Sequence, residues 1–458
     1  MSAQKKYSID MTNGPLAGKI LRFALPFMAA NIIQLLFNAA DVVVVGKFAG
    51  DTAQAAVTST TALVSLIVNL FLGLGVGVNV IVGQALGSGE RSRISTVVHT
   101  AILTGALLGT AMTALSIWAA PYMLERMGSP EQIIGLSTLY LRIYFLGLPG
   151  ELLYTFGSAL LRSQGDTKRP MYYLTLAGVA NVILNLIFVI GFHWSVAGVA
   201  VATAASKWMS ALLVMYCLMH ETGPMHLDPA QLRIHWPTLK DIVRIGVPAG
   251  VQSSLFSLSN LTIQSAVNSM GEVAIAGAGA AANINNILHT PTAAFYNASL
   301  TFTSQNIGAK KPERVERVLW TCLWMSVLVA TVLGVASVIF GPWLLSIYSN
   351  STEVIEAGMI RMVTTSGFIA LNAVTNMAAG VLRGLGYTMV PLVTILTSTC
   401  FLRMAWVAVV FPLYQTPFSL YVSYPITWAL SGLVLLGYYF VVRPKFYDRV
   451  QAQLAKES

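Results

Sequence analysis

Residues 161–170 read LRSQGDTKRP and residues 382–391 read LRGLGYTMVP, so Leu, Arg, Gly, Thr and Pro recur at identical offsets 221 positions apart. Two further patches fall in nearly the same register: LRFALP (21–26) against VRIGVP (243–248), and Gln84-x-x-Gly87 against Gln305-x-x-Gly308. Agreement at five of ten positions, in line with two other patches, marks an internal duplication. A duplication fixes the architecture before any single motif does.

Composition says what is duplicated. Of 458 residues, 55% are hydrophobic and 10% charged, and the mean hydropathy is +0.69. Soluble domains carry about 25% charged residues, so this chain cannot clothe a water-facing surface and reads as an integral membrane protein. A span needs about 20 apolar residues. Twelve stretches qualify: 20–45, 58–82, 97–120, 133–161, 171–192, 196–219, 242–268, 273–302, 318–340, 354–379, 389–411 and 418–442. They leave short loops and no separate soluble domain.

The expected fold is therefore an all-α membrane protein of twelve transmembrane helices in two six-helix lobes. The N-terminal lobe spans 1–219, a cytoplasmic linker rich in Pro, His and charge spans 220–241, and the C-terminal lobe spans 242–458. Six spans per half is an even number, so both halves enter the membrane in the same direction, related by a pseudo-two-fold axis along its normal. Carriers built from such parallel repeats bind substrate between the halves near the midplane.

Charge fixes the expected orientation. Of the 27 Lys and Arg, 21 fall at the N-terminus, in the even-numbered connections and in the tail. Lys47 and Arg126 lie on the opposite side, and Arg142, Lys207, Arg361 and Arg403 fall within spans. By the positive-inside rule both termini are cytoplasmic. The net charge of +9 is thus a matter of topology, and nucleic acid is not an expected partner. Cys217, Cys322 and Cys400 lie far apart in apolar segments, with neither disulfide nor zinc spacing. The polar start MSAQKKYSID and the length of the first apolar stretch do not read as a cleavable signal.

Ionisable and amide side chains in lipid are functional candidates, because a charge at a helix centre costs about 2.5–3.5 kcal/mol on insertion scales. Asn31, Gln34, Asn38 and Asp41 recur at spacings of 3, 4 and 3, forming one face of span 1. Asn181 and Asn185 on span 5, and Thr203 and Lys207 on span 6, are i,i+4 pairs at depths that can meet that face. An ammonium one turn from Thr203 repels sodium yet can pair with an ionised Asp41, which predicts proton coupling with an Asp41–Lys207 pair as the switch. Packing of the helices is the bland alternative for each amide taken alone.

Substrate contacts are expected from Gln34, Glu151 and Tyr154 in the first lobe and from Asn260, Gln264, Asn283 and Asn286 in the second. The second lobe has no Asp or Glu deep in a span, so coupling belongs to the first. Thr290 and Asn297 extend the polar face of span 8. Pro26 and Pro248 occupy matching places early in spans 1 and 7 and are candidate hinges, since Pro frees a backbone carbonyl and permits bending. Gly73 and Gly77 make a G-x-x-x-G packing face within a span rather than a dinucleotide loop. The linker histidines His220, His226 and His235 match no metal spacing.

Pro26, the run Asn38-Ala-Ala-Asp41, Gln84-Ala-Leu-Gly87, the loop Gly165-Asp166-Thr167-Lys168-Arg169-Pro170, Asn181 with Asn185, and Ala202-Thr203 together resemble the multidrug and toxic compound extrusion family in its prokaryotic branch. The resemblance covers nearly the whole chain. It implies export of cationic or amphipathic organic compounds in exchange for inward protons or sodium, and it carries the coupling site to Asp41, Asn181 and Thr203. Two positions depart from the family: Asn185, where an Asp is frequent, and Lys207, where a neutral amide is usual. Glu151 is a third, in place of an apolar residue.

No P-loop, nucleophile elbow or zinc-protease signature occurs, so the expectation is a transporter and not an enzyme, with no cofactor and with H+ favoured over Na+. The expected setting is a monomer in the bacterial inner membrane, with lipid and a small organic substrate as its partners. The rival readings are a lipid-linked saccharide flippase, which needs a cationic cavity, and a channel or receptor that does not cycle.

Overall fold

The computed structural model describes residues 7–127 and 130–455; the termini, whose side the loop charges assign, lie partly outside them. Every regular element among the described residues is helical. Among the described residues nine helices are long and apolar enough to cross a membrane, and Glu131–Phe145 with Leu148–Ser163 forms a tenth span bent by 43°. Spans 7 and 8 complete the twelve as Trp236–Asn268 and Glu272–Gly308, helices of 33 and 37 residues that fall short only in apolarity. Their Ser, Asn and Gln content is the reason.

The helices outrun the apolar stretches that announce them. Asp51–Ser88 has 38 residues, about 57 Å at 1.5 Å per residue, against a hydrocarbon core of about 30 Å. Large apolar side chains are left uncovered around the spans, Trp118 at 80% exposure and Leu433 at 72%, which suits contact with lipid rather than water.

By packing, the chain divides into two compact units: unit 1 is Met1–Asp10 with Ala29–Gly250, and unit 2 is Met11–Met28 with Val251–Ser458. These boundaries differ from the linear halves at 219 and 242. The linker and the first half of span 7 pack in unit 1, while the first half of span 1 packs in unit 2. In both repeats the change of unit falls two residues after the helix-interior proline, Pro26 or Pro248.

The early part of span 7 is held in unit 1 by glycine. A Cβ at Gly73 would collide with the backbone of Gly250, one at Gly77 with the carbonyl of Ile242, and one at Gly246 with Leu74. The expected packing face of span 2 therefore meets a matching Gly246-x-x-x-Gly250 face, and the two helices touch backbone to backbone. Unit 2 has its own core, in which Leu319, Leu382, Leu435, Tyr439 and Phe446 are buried together. The N-terminal segment is tied to it by Asn306 and Arg314, whose side chains both donate to the Met11 carbonyl at 3.1 Å.

Candidate functional site

The candidate site lies in unit 1 and is built on spans 1, 4, 5 and 6. Asp41 sits half-buried near the end of the helix Leu16–Val44, where its Oδ1 accepts from Asn185 Nδ2 at 2.5 Å. Asn185 Nδ2 also lies 3.3 Å from Asn181 Oδ1, so these three residues form one chain of hydrogen bonds across two helices. Asn185 is fully buried and its Oδ1 has no donor. The approach of the helices depends on Gly178, one turn before Asn181, because a Cβ there would overlap the ring of Phe37 on span 1.

The expected Asp41–Lys207 ion pair is not formed. Lys207 Nζ instead donates to Glu151 Oε2 at 2.6 Å and lies 3.5 Å from the ring centre of Tyr144. The break in span 4 causes this. Between Glu131–Phe145 and Leu148–Ser163 the freed carbonyls of Phe145 and Leu146 are taken by Thr113 Oγ1 at 2.7 Å and Trp208 Nε1 at 2.9 Å, which is what tolerates irregular backbone inside a membrane. After the break, a Cβ at Gly147 or Gly150 would crowd Lys207 at 3.0 Å, so glycine lets span 4 close on span 6 there. Glu151 then falls in the first helical turn, where the helix dipole favours an anion, directly against the ammonium.

Glu151 thus faces a neighbouring helix. It also borders a crevice with Val68, Phe71, Leu72, Leu148, Leu152 and Thr155 that is too tight to admit even a water molecule, against the roughly 300–1,000 Å³ of ligand cavities. Thr203, the third residue carried over from the family, turns its Oγ1 back to the Val199 carbonyl at 2.9 Å and does not hold Asp41. Tyr154 donates to the Pro170 carbonyl at 3.1 Å and braces the start of span 5. Gln34 and Asn38 are exposed on the same helix as Asp41.

Two residues escaped the sequence reading. Tyr140 and Tyr144, with ring centres 5.7 Å apart, lie within electrostatic reach of Asp41, Tyr140 also of Lys207 and Tyr144 also of Glu151. They thus sense both the Asn185–Asp41 contact and the Lys207–Glu151 pair. Their i,i+4 spacing on span 4 was the available signal, and it reads equally well as an interfacial aromatic pair.

In unit 2 the expected substrate residues do not converge on a common contact. Asn260, Asn283 and Asn286 are exposed, and Gln264 donates to Asn268 at 2.9 Å on its own helix. Asn285, between the two exposed amides, is buried and binds Thr365 and Ser366. Thr290 and Asn297 bond back to carbonyls one turn earlier. Arg383, the duplicate of Arg162, binds Gln252 and Tyr296, both at 2.5 Å.

The comparisons with known proteins agree with the duplication. A family model described as MatE matches twice, over residues 26–187 and 248–409, the matches beginning at Pro26 and Pro248. The chain is 28% identical to the "Probable multidrug resistance protein YoeA" of Bacillus subtilis (strain 168), over 93% of this chain and 94% of the relative. It is 27% identical to a protein of Shewanella oneidensis named "FAD transporter", over 76% and 77%. Among solved structures, "Crystal structure of MATE in complex with MaL6" superposes with a TM-score of 0.89 at 20% identity, covering 98% of this chain and all of the other.

Proposed function

This chain belongs to the MatE family, and from that premise we propose that it is a secondary active antiporter that exports cationic or amphipathic organic compounds in exchange for inward protons. One observation carries the reading: among the described residues Asp41, inside a span, is held by a neutral amide alone, while the cation of the cluster is matched by Glu151. With Glu151 and Lys207 cancelling, the cluster carries one negative charge when Asp41 is ionised and none when it is protonated. A proton and an organic cation thus compete for the same compensation, which is the requirement for exchange.

The amide suits that role. Asn185 donates to the ionised carboxyl, and on protonation its Oδ1, free of any other donor, can accept from the new carboxylic O–H after a turn of the amide. Pro26 lies four turns below Asp41 in the same helix, so the freed backbone there lets span 1 bend as this contact tightens or loosens. Lobes rocking about such bends give alternating access in the inner membrane. One charge moving through 100 mV supplies about 2.3 kcal/mol, enough for roughly a 40-fold gradient at 1.4 kcal/mol per decade.

The negative balance of the cluster favours cations over anionic substrates such as the one named for the Shewanella relative. The test is ethidium efflux from everted vesicles under an imposed pH or sodium gradient, wild type against Asp41→Asn. Efflux driven by the pH gradient and lost in the variant is the expected result. Equal efflux by both removes Asp41 from the mechanism, and drive by sodium alone removes the proton.

A further inference from the structure

Unit 2 holds one fully buried and one half-buried arginine that pair with no acid among the described residues. Arg403, in the helix Leu402–Val409 that follows the π-helical turn Leu396–Phe401, is fully buried. Its Nη2 donates to Thr427 Oγ1 at 2.9 Å and its guanidinium lies 3.9 Å from the ring centre of Tyr424, but Nε and Nη1 have no acceptor. Arg361, on the helix Thr352–Thr365, donates Nη1 to the Ala278 carbonyl at 3.1 Å and lies 5.4 Å from the ring centre of Tyr421, and its Nε too lacks an acceptor.

Arg361 is the one charged side chain within electrostatic reach of Arg403 among the described residues, and it has the same sign. The nearest acids along the chain, Glu353 and Glu356 on the helix of Arg361 and Glu272 at the start of the helix that carries Ala278, are all exposed. Two guanidinium groups within electrostatic reach of each other, one sealed from water and one half-buried, with three buried N–H nitrogens unclaimed, are unfavourable unless something negative shares the site. The aromatic faces, the Thr427 and Tyr421 hydroxyls and the Ala278 carbonyl compensate only part of this.

We propose that Arg361 and Arg403 form a binding site for a small monovalent anion of the chloride class, a site separate from Asp41 and independent of the antiport reading. Size sets the class. Tyr421, Tyr424 and Trp428 are each less than a tenth exposed and enclose Arg403 within the same apolar cluster, so a nucleotide or a phosphorylated substrate cannot enter. A halide needs only a few N–H donors and can approach from the half-buried Arg361. Bound there, it halves the charge shared by the two arginines and lets spans 10, 11 and 12 pack.

The test is thermal unfolding of the purified full-length protein in nanodiscs, with sodium gluconate replaced stepwise by sodium chloride or bromide at constant sodium and ionic strength. The expected result is a saturable rise in the midpoint, about 2–4 °C for a chain of this size at saturating anion, which sulfate does not reproduce. Arg361→Gln is expected to abolish the rise. Arg403→Gln is expected to do the same, and if it does not fold, the Arg361→Gln titration decides. A wild type indifferent to chloride, or an Arg361→Gln variant with an unchanged chloride response, overturns the proposal.

Discussion

Lys207 Nζ lies 2.6 Å from Glu151 Oε2, while Asp41 is bound by Asn185, so the two acids of the unit 1 cluster have different kinds of partner. The lysine that departs from the family and the glutamate that departs from it are thus one change in two places. Each explains the other: an ammonium at 207 without an acid at 151 would fall to Asp41 and lock it in the ionised state.

That dependence is measurable. In Glu151→Gln the lysine loses the acid it pairs with, and with both side chains mostly but not wholly buried the expected loss of stability is about 2 kcal/mol, between the values for exposed and buried pairs. Proton-driven efflux should fall as Lys207 turns toward Asp41. The double variant Glu151→Gln/Lys207→Gln should recover both, and thermal unfolding of the two single variants and the double gives the coupling directly.

Asn185→Leu removes the donor to Asp41 while keeping volume. A hydrogen bond to a charged group is worth about 1.5–3 kcal/mol, so transport that needs the ionised carboxyl should slow about tenfold or more, read as initial dye efflux at fixed protein level. Asn181→Ala should cost much less, since its contact with Asn185 is 3.3 Å and neutral.

Much of this was legible in the sequence because lipid makes polarity expensive. The apolar stretches and the duplication follow from spacing and hydropathy alone, and spacing puts Asn181 and Asn185 where they can meet the face that carries Asp41. The partner of Lys207 did not follow. Spacing puts Thr203 and Lys207 on one face of a helix, but it does not say how that helix is rotated against span 4, and the break at 146–147 sets that rotation through Trp208 and Thr113. Thr203 failed for a similar reason: a hydroxyl in a helix can always bond its own backbone one turn back, as it does to Val199. Arg403 was visible as a charge in a span, yet its burial and its lack of an acid are properties of packing.

The crossing of spans 2 and 7 gives a third expectation. Gly73, Gly77, Gly246 and Gly250 allow backbone contact that any Cβ obstructs, and overpacking a tight interface costs about 1–3 kcal/mol. Gly73→Leu and Gly246→Leu should each lower the unfolding midpoint and expose the linker that packs in the same unit. Gly279→Ala, whose Cβ would meet nothing within 4 Å, should leave both unchanged, and limited proteolysis in 223–235 reads the difference.

The last expectation concerns the clamp at the start of span 5. Arg169 pairs with both Asp166 and Glu221, its Nη1 lies 3.1 Å from Cys217 Sγ, and Asp166 also accepts from the backbone N–H groups of Lys168 and Arg169 at 3.1 Å. Both acids are sealed from solvent, Asp166 completely. Arg169→Gln strands two buried carboxylates, for which the expected cost is about 3–5 kcal/mol, with the segment after Met219 released to protease. Glu221→Gln removes one acid but leaves the arginine and Asp166 paired, so it should cost much less. A larger loss in Glu221→Gln than in Arg169→Gln contradicts this account of how the linker is anchored, and unfolding midpoints of the two variants decide it.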